Sequence, residues 1–285
     1  MAQSPALFAQ LKDSGVHLSR NQRVLAQYIL DHYQTAAFSN VKQLAEQSGV
    51  SEATIVRFAK ALNFKGYPAL QQEIRRIVRA DLKGTERFQL TAGVKDADRG
   101  PLAPIIDKEL ENISGLQDTL DRKAFRQAVM ALGRASEVLV AGTRSVAPLA
   151  RHLWFGLDKL DVAASRFLSI TTEARDRLNR LDRRACVVVI SYPRYLRELV
   201  NYLDIAKTRG LKTIVITDSP FSPLRGDINL YSPAQSASYI AFQCAPMILI
   251  NGLLHELSIL DKARTLKALT RFEALAERES YFCKS

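Results

Sequence analysis

This chain of 285 residues has few cysteines and no long uninterrupted apolar run. Its three cysteines are widely spaced and odd in number, which argues against a disulfide framework and for a reducing compartment. The most apolar stretch, 239–254, is interrupted by Gln243, Pro246 and Asn251, so it predicts a buried helix rather than a membrane span. The sequence also begins without the basic and apolar regions of a secretory signal. We therefore expect a cytoplasmic protein with no membrane partner.

Motifs for cofactors and metals are missing as well. No Gly-x-Gly pattern and no Walker lysine loop occurs in the sequence, which argues against dinucleotide and ATP cofactors. There is no paired CxxC, and His255 and Glu256 do not complete an HExxH zinc motif because Ile259 occupies the last position. We therefore predict no cofactor and no metal site.

Acidic residues are outnumbered by basic ones. Asp and Glu total 29 against 40 Lys and Arg, which gives a formal net charge of +11. This balance favours a polyanionic partner through counterion release, although RNA and membrane surfaces would attract the same charge. A hydrophobic share of 47% over this length supports folded cores in about two domains.

What is present is a helical pattern with a tight turn at 41–67, VKQLAEQSGVSEATIVRFAKALNFKGY. Apolar residues at helical spacing predict a first short helix, and Gly49 suits the left-handed conformation just past its end. Ser51 is then the N-cap of a second helix, whose positive end Glu52 complements. Asn63 is expected to take the left-handed cap at the end of that helix. A second helix presented in this way fits the major groove of B-DNA.

The second helix of this motif is expected to have a buried face and an outward face. The buried stripe comprises Ile55, Phe58, Ala59 and Leu62. The outward side chains are Glu52, Ala53, Thr54, Val56, Arg57 and Lys60. Thr54 and Arg57 are the first candidates for base contacts, and the two residues that open the helix can also approach bases. The candidates for phosphate contacts or for the helix cap are Lys42, Ser51, Lys60, Lys65 and Tyr67. The alternative is a structural helical hairpin whose charges only solvate its face.

The rest of the chain divides by composition. Helical periodicity at 5–12, 19–33 and 68–82 completes an all-α domain together with the two motif helices. Glycines and prolines among charged residues then predict a linker. The predicted boundaries are 1–83 for the helix-turn-helix domain, 84–104 for the linker and 105–285 for a second domain.

The second domain combines helices with short apolar runs. A helical stretch at 105–132 comes first, and helical segments then separate the apolar runs, which predicts an α/β fold with a parallel sheet and flanking helices. Ligands of such sheets collect at the carboxyl ends of the strands, so the loops after these runs are candidate sites. The predicted strands are 137–141, 186–190, 212–217 and 228–231.

Three of these loops carry polar side chains. The first, GTRS after the strand VLVA, offers backbone amides, hydroxyls and a guanidinium to an anion, although any strand-to-helix turn can contain such residues. The second, SYPRYLRE after CVVVI, offers two arginines to a phosphate or carboxylate, with a solvated helix start as the equal alternative. The third, 217–224, is expected to be a structural turn. The candidate effector-binding residues are Gly142, Thr143, Arg144, Ser145, Ser191, Arg194, Tyr195, Arg197 and Glu198.

Together these segments resemble one family. SEATIVRFAKALNFKGY, GTRS, ISYPRY, AKTRGLKTIVITDSPFSPL and the order of the domains are similar to the RpiR/MurR transcriptional regulators over essentially the whole chain. The resemblance implies an N-terminal helix-turn-helix, a C-terminal sugar isomerase (SIS) domain, and binding of double-stranded operator DNA by dimers or tetramers. It also implies that the SIS domain senses a small metabolite, often a phosphorylated sugar, and that the SIS domain and the helix at 105–120 hold the copies together.

One loop departs from the family's pattern. The phosphate loop of sugar-phosphate-binding SIS domains reads like Ser-x-Ser-Gly-x-Thr, whereas Pro193, Arg194 and Leu196 stand where the second Ser, the Gly and the Thr would be. Two hydroxyls and a glycine are lost and cations are gained. We therefore expect a small anionic effector, either a sugar phosphate or a carboxylate.

Two other functions stay open at this point. SIS domains also occur in sugar-phosphate isomerases, whose proton transfer needs a positioned acid and base. Glu198 is the one loop carboxylate to consider, while His152 and His255 lie in helical patterns. A structural DNA-binding protein would explain the charge and the motif but not the loops of the second domain. We expect a transcriptional regulator with no catalytic residue.

Overall fold

The computed structural model describes residues 18–81, 99–236 and 243–283, together with Leu7, Leu11, Thr85, Phe88, Ser238 and Ile240. The chain forms two compact units, Met1–Leu90 and Thr91–Ser285. The described part of the first unit is helical, and that of the second combines helices with one parallel sheet. The fold is therefore an all-α region followed by an α/β region, as the sequence predicts.

The first unit packs short helices around buried apolar side chains. Its described helices are α1 (Arg20–Asp31), α2 (Tyr33–Ala36), α3 (Val41–Ser48), α4 (Glu52–Ala61) and α5 (Tyr67–Asp81). Leu25, Ile55 and Phe58 come from different helices or turns of helix, and all three are fully buried. The apolar side chains that recur along each helix thus point inward, where they are removed from water.

Two predicted helices of this unit differ from the observed ones. The helix predicted at 19–33 ends at Asp31, because His32 leaves the helical conformation with φ of −131° before α2 begins. Of the helix predicted at 5–12, Leu7 and Leu11 are helical and buried, and the other positions lie outside the described residues, as does the end of the helix predicted at 68–82.

Capping boxes fix where two of these helices begin. The Ser19 hydroxyl accepts the Gln22 N–H, while the Gln22 side chain accepts the Ser19 N–H at 2.8 Å. Asn40 and Gln43 make the same exchange before α3, at 2.9 and 2.8 Å. Each box satisfies two amides that have no partner within the helix, so the helix start is set by neighbours in sequence.

The second unit alternates strands with helices. Its described helices are α6 (Ala103–Thr119), α7 (Arg122–Arg134), α8 (Ala147–Lys159), α9 (Thr172–Arg180), α10 (Arg197–Thr208), α11 (Cys244–Leu260) and α12 (Lys262–Arg278). Its strands are β1 (Val138–Ala141), β2 (Ala164–Phe167), β3 (Cys186–Ile190), β4 (Lys212–Thr217) and β5 (Ile228–Tyr231).

The helical stretch predicted at 105–132 is two helices. Asp121 accepts the N–H groups of Lys123 and Ala124 and so caps the start of α7. The first of the two, α6, begins at Ala103, because Pro104 fits the first turn of a helix, where its missing N–H is not needed. The last two residues of the predicted linker are therefore helical, and most of its other positions lie outside the described residues.

The five strands are all parallel, in the order β2-β1-β3-β4-β5. Side chains alternate between the two faces of the sheet. Val138 and Val140 pack with α6, α7, α8 and α11, whereas Leu139 and Ala141 pack with α9 and α10. The sheet is thus the middle layer between two layers of helices, which explains why its central strands are continuous apolar runs.

The edge strand β2 is absent from the strands that the sequence predicts. It reads ASRF, pairs with one neighbour only and is partly exposed. Arg166 is in register with Val140 and lies on the sheet face that α8 covers, with its guanidinium 3.6 Å from the ring centre of Trp154. A half-exposed edge strand does not need an apolar run, so periodicity alone does not reveal it.

The predicted apolar stretch contains a core helix, α11. Leu249, Ile250 and Leu253 are buried against the sheet. Among the described residues, no single helix is both long and apolar enough to cross a membrane, and α11 and α12 reach that length and hydropathy only as a pair bent by 103°.

Candidate functional site

The predicted DNA-reading motif, residues 41–67, is formed by α3, a turn and α4. Gly49 and Asn63 have φ of 69° and 65°, so both take the left-handed conformation expected of them. The Ser51 hydroxyl accepts the Thr54 N–H at 3.2 Å and caps α4. These local contacts set the start and the end of the candidate recognition helix.

The outward surface of the motif is basic. The predicted DNA-contacting residues that are exposed are Lys42, Ser51, Glu52, Ala53, Arg57, Lys60 and Lys65. A helix docked in a major groove places its first turns at base edges, while flanking cations reach phosphates. Seven of the nine candidates are therefore exposed, as a contact with DNA would require.

Thr54 does not face outward, contrary to the prediction. Thr54 is only 5% exposed, and its hydroxyl lies 2.9 Å from the Ser51 hydroxyl. Because Thr54 precedes Phe58 by four residues, it lies on the buried side of α4. Thr54 therefore supports the helix cap, and Arg57 is left as the first candidate for a base contact.

Tyr67 is also not placed for a phosphate contact. It is 3% exposed, and its hydroxyl donates to the Ser39 carbonyl at 2.5 Å. Gln71 donates to the same carbonyl at 2.6 Å, and Arg75 Nε donates to the Ala37 carbonyl at 2.6 Å. Burial raises the pKa of Tyr67 to about 12, so the phenol stays a neutral donor. Three donors spaced four residues apart on α5 therefore hold the segment before α3, a role that sequence reasoning missed.

The candidate effector loops follow β1 and β3, which are neighbours in the sheet. From β1 the chain crosses to β2 on one side, and from β3 it crosses to β4 on the other side. The two loops therefore diverge where the strand order reverses, which is where open α/β sheets bind ligands. We call the space between loops 142–145 and 191–198 the effector crevice.

The first loop is tightly packed at its base. Gly142 donates its N–H to the Phe167 carbonyl at 3.1 Å, and a Cβ at this position would lie 2.9 Å from a β-carbon of α8. Thr143 is buried next to it, whereas Arg144 and Ser145 are exposed. Only glycine fits at the base of this loop, at position 142. The cation of the loop, Arg144, is exposed to solvent.

The second loop starts with a buried serine and continues with exposed arginine. The Ser191 N–H donates to the Ile216 carbonyl at 3.1 Å. Arg194 has φ of 70°, and Arg144 in the first loop has φ of 56°. The left-handed conformation is unfavourable for a side chain with a Cβ, and such strain clusters at functional sites. Both loops of the crevice thus hold an arginine in this conformation.

Polar contacts join the elements around the crevice. Thr143 Oγ1 donates to Glu198 Oε1 at 3.4 Å and links the first loop to α10. The Tyr195 hydroxyl donates to Asp218 Oδ1 at 2.5 Å and links the second loop to the segment after β4. Arg197 opens α10, whose first amides receive no side-chain cap. An uncapped helix start is a favourable position for an anion.

Residues 218–224 form a turn, as the sequence predicts for 217–224, except that Thr217 is the last residue of β4. The Ser219 hydroxyl accepts the Phe221 N–H at 3.0 Å, and the Ser222 hydroxyl accepts the next-but-one N–H at 3.1 Å. Asp218 is the exception, because its bond to the Tyr195 hydroxyl brings it to the crevice. Sequence reasoning missed this contact, since nothing in a turn motif indicates a partner 23 positions away.

Family models match both units of the chain. The model for the helix-turn-helix domain of the rpiR family matches residues 6–78, and the model for the SIS domain matches residues 131–252. The two matches together cover more than half of the chain, in the order that the fold shows. The chain belongs to the RpiR family of transcriptional regulators.

Several relatives resemble this RpiR-family chain over most of its length. The transcriptional regulator HexR of Pseudomonas aeruginosa is 27% identical over 252 residues, which are 81% of this chain and 83% of HexR. The sugar isomerase domain of an RpiR transcription factor from Sphaerobacter thermophilus has a TM-score of 0.59 at 25% identity, over 61% of this chain and 99% of that one. The NanR protein of Vibrio vulnificus, solved in complex with ManNAc-6P, has a TM-score of 0.59 at 17% identity, over 95% of this chain and 98% of that one.

Two histidines considered for chemistry in this RpiR-family chain lie on helices. His152 Nε2 is 2.7 Å from Asn251 Oδ1, a contact between α8 and α11, and His255 is exposed on α11. Among the residues that the structure describes, no group of three or more His, Cys, Asp or Glu side chains is arranged to hold a metal ion.

Proposed function

We propose that this protein is a homo-oligomeric transcriptional regulator whose operator binding responds to a small anionic metabolite. The observation that carries the proposal is the effector crevice, whose two loops follow neighbouring strands and carry buried hydroxyl residues and exposed arginines, in a chain that also has a predicted DNA-reading motif. In this proposal α4 reads the operator and the crevice senses the metabolite. The proposed effector is a phosphorylated sugar, with a carboxylate metabolite as the alternative.

The arginines give the crevice its positive charge. Arg144, Arg194 and Arg197 are exposed, and none of them forms an ion pair with another described residue. Guanidinium groups donate paired, charge-assisted hydrogen bonds to phosphate and carboxylate oxygens. Glu198 adds an acceptor beside these donors, and a ligand hydroxyl can donate to it. An anion that also carries hydroxyl groups fits this set of side chains.

The backbone of the second loop supports a phosphate. Arg194 stands where related phosphate loops have glycine, and its φ of 70° is a conformation that glycine adopts freely. A left-handed residue beside right-handed ones turns successive amides toward one anion. Arg194 thus has a φ that glycine adopts freely, together with a cationic side chain that glycine lacks. The ManNAc-6P in the NanR complex is a sugar phosphate bound by a protein of the same fold, which supports the same ligand class here.

Two copies are expected to act together on DNA. One helix-turn-helix reads only a short half-site, so useful specificity needs a second copy. The helix α6 carries exposed apolar side chains, with Ile106 at 52% and Leu110 at 58% exposure. Contact with a second copy would remove this surface from water. We therefore assign α6 and the SIS domain to a homodimer or tetramer contact.

A path of polar contacts connects the crevice with α6. Gln243, just before α11, donates to the Ser145 carbonyl in the first loop. The next residue, Cys244, donates its N–H to Glu109 on α6 at 3.3 Å. Asn112, one turn further along α6, exchanges two hydrogen bonds with the backbone after β5, at 2.7 and 3.0 Å. A ligand that favours one arrangement of the first loop would thereby favour one position of α6, the helix that follows the predicted linker.

Thermal-shift screening of the full-length protein tests the effector site. The probes are inorganic phosphate, sugar phosphates including N-acetylmannosamine 6-phosphate, and carboxylates such as citrate. We expect at least one anion class to raise the melting temperature, and we expect Arg194→Ala to reduce that shift. Arg180→Ala, which removes an exposed arginine on α9, is the matched control and should respond like the wild type. If no anion stabilises the protein, or if Arg194→Ala responds identically, the site is misplaced.

DNA binding and turnover separate the remaining functions. A regulator should bind a preferred duplex sequence, and the stabilising anion should change that affinity. Sequence-independent binding without a response to any anion would favour a structural DNA-binding protein. Interconversion of a phosphorylated aldose and ketose by the purified protein would favour an isomerase, with Glu198 as the first residue to replace.

A further inference from the structure

The outward face of α4 is narrower than the sequence predicts. With Thr54 buried, the exposed side chains that remain in the middle of this face are Ala53, Val56, Arg57 and Lys60, at helical spacing. Val56 is 39% exposed, whereas Ile55 next to it is fully buried. An apolar branched side chain therefore lies in the middle of the surface that is proposed to enter the groove, next to Arg57 in the sequence.

Val56 contributes little to the stability of the isolated domain. Valine is a weaker helix former than alanine or lysine, because its branched side chain loses rotamer freedom against the preceding turn. At its exposure, it also leaves much of its apolar surface in water. The buried face of α4 is formed by other side chains, among them Phe58 and Ala59, which are fully buried. Its surface would be covered when α4 docks in the major groove.

Thymine is the base that offers an apolar partner in the major groove. Its 5-methyl group projects there, and small apolar side chains recognise it by contact, whereas arginine recognises the N7 and O6 acceptors of guanine. Val56 and Arg57 are consecutive on α4, so they can address neighbouring bases. We infer that Val56 is a specificity-determining residue that contacts the 5-methyl group of a thymine in each operator half-site, next to the base contacted by Arg57.

Replacing thymine by deoxyuridine tests this inference, because it removes only the methyl group. Operator duplexes are first selected from a random library with the full-length protein, and each thymine of the selected half-site is then replaced in turn. We expect one replacement per half-site to weaken wild-type binding about threefold to fourfold, which corresponds to the loss of one buried methyl contact.

Two alanine variants make the test specific to α4. Val56→Ala should lose most of the difference between the thymine and the deoxyuridine operators, because the two γ-methyl groups of valine, which reach furthest toward the base, are gone. Val24→Ala is the matched control, since Val24 is a similarly exposed valine at 48% on α1 of the same unit, and it should keep the wild-type difference. Position 56 is exposed and alanine favours helix, so loss of folding does not obscure the result.

Three results would overturn the inference. The first is that no thymine of the selected half-site responds to deoxyuridine. The second is that Val56→Ala keeps the same loss, which would mean that another side chain contacts the methyl group. The third is that Val24→Ala also abolishes the difference, which would mean that the effect does not arise at α4. The selection of operator duplexes tests DNA binding, and the deoxyuridine replacement tests the methyl contact. Failure of the methyl contact can therefore be told apart from failure of DNA binding.

Discussion

The DNA-reading motif and the effector crevice are assembled in opposite ways. The motif occupies one short run of chain, and its turn glycine, serine cap and asparagine cap act on residues a few positions away. The crevice joins distant segments, because Thr143 meets Glu198 across 55 positions and Tyr195 meets Asp218 across 23. Local rules are enough to find the first, whereas the order of the strands creates the second.

The same difference predicts how each region responds to substitution. In the proposed function, a few side chains of α4 would each address one base of the operator. In the crevice, several amides, hydroxyls and arginines would share one small anion, so the loss of one donor leaves others in place. We therefore expect single substitutions to have larger effects on operator binding than on the stability of the crevice.

Among these variants, Arg57→Ala should have the largest effect, which is on operator binding. Arg57 is exposed on α4. If it makes the proposed bidentate contact to guanine, its loss should weaken operator binding by about 1–3 kcal/mol and relax the preference at that base. Titration of the selected operator and its single-base variants, at one salt concentration, measures both quantities. Unchanged discrimination among the base variants would show that Arg57 does not read a base and would contradict the contrast between the two regions.

Tyr67→Phe tests how much the stability of the motif depends on contacts outside α3 and α4. The variant loses the hydrogen bond to the Ser39 carbonyl. Its free energy of unfolding should therefore be lower by about 0.5–1.5 kcal/mol. Tyr28→Phe is the control, since the Tyr28 hydroxyl lies at 3.4 Å from the Gln47 side chain in an exposed contact.

The effect of Tyr67→Phe should depend on pH. Burial raises the folded-state pKa of Tyr67 to about 12, above the value of about 10 for an unfolded chain. The neutral phenol therefore stabilises the fold fully below pH 10, and this stabilisation is lost as the pH rises toward 12. Urea unfolding at about pH 8 and about pH 11 should show that the difference between wild type and variant shrinks. A constant difference would contradict the buried position of the hydroxyl.

Sequence patterns predict the parts of this fold that depend on neighbours in the chain. The caps at Gly49, Ser51 and Asn63, and the four apolar strands, follow from local conformation and periodicity. The edge strand β2 escapes prediction because it pairs on one side only and keeps polar side chains. Element type is thus predictable where burial on both faces imposes an apolar run.

Side-chain direction near an element's edge is harder to predict. Thr54 and Tyr67 are both predicted at the DNA surface, yet both are buried. Thr54 lies on the side of α4 that carries Phe58, with its hydroxyl on that of Ser51, whereas Tyr67 donates to the Ser39 carbonyl 28 positions away. The contact of Tyr195 with Asp218 also depends on the pairing of β3 with β4. Periodicity gives the average direction of a face, but packing partners decide the residues at its border.

Arg194→Gly tests the effector crevice, and we expect it to change stability less than Tyr67→Phe does. A left-handed arginine costs roughly 1 kcal/mol more than a glycine, while a glycine gives the unfolded chain more freedom, worth about 0.4–1 kcal/mol. We therefore expect a gain in stability of less than about 1 kcal/mol, together with a smaller thermal shift on addition of inorganic phosphate because a cation is lost. Arg144→Gly, with φ of 56° in the first loop, should behave alike. A clear loss of stability would show that the side chain of Arg194 holds the loop in place.

Lys65→Ala should have the smallest effect at physiological salt. Lys65 is exposed in the basic turn after α4, and the phosphate contact proposed for it would set affinity without reading sequence. The slope of log affinity against log salt should become shallower by about 1, while discrimination among base variants stays unchanged. Lys207→Ala removes an exposed lysine on α10 of the second unit and should leave the slope as it is. An unchanged slope in Lys65→Ala would remove this residue from the DNA contact, whereas lost discrimination would place it at a base edge. Because Arg57→Ala should change discrimination and Lys65→Ala should change the slope, one set of titrations at several salt concentrations separates the side chains that read sequence from those that only hold the duplex.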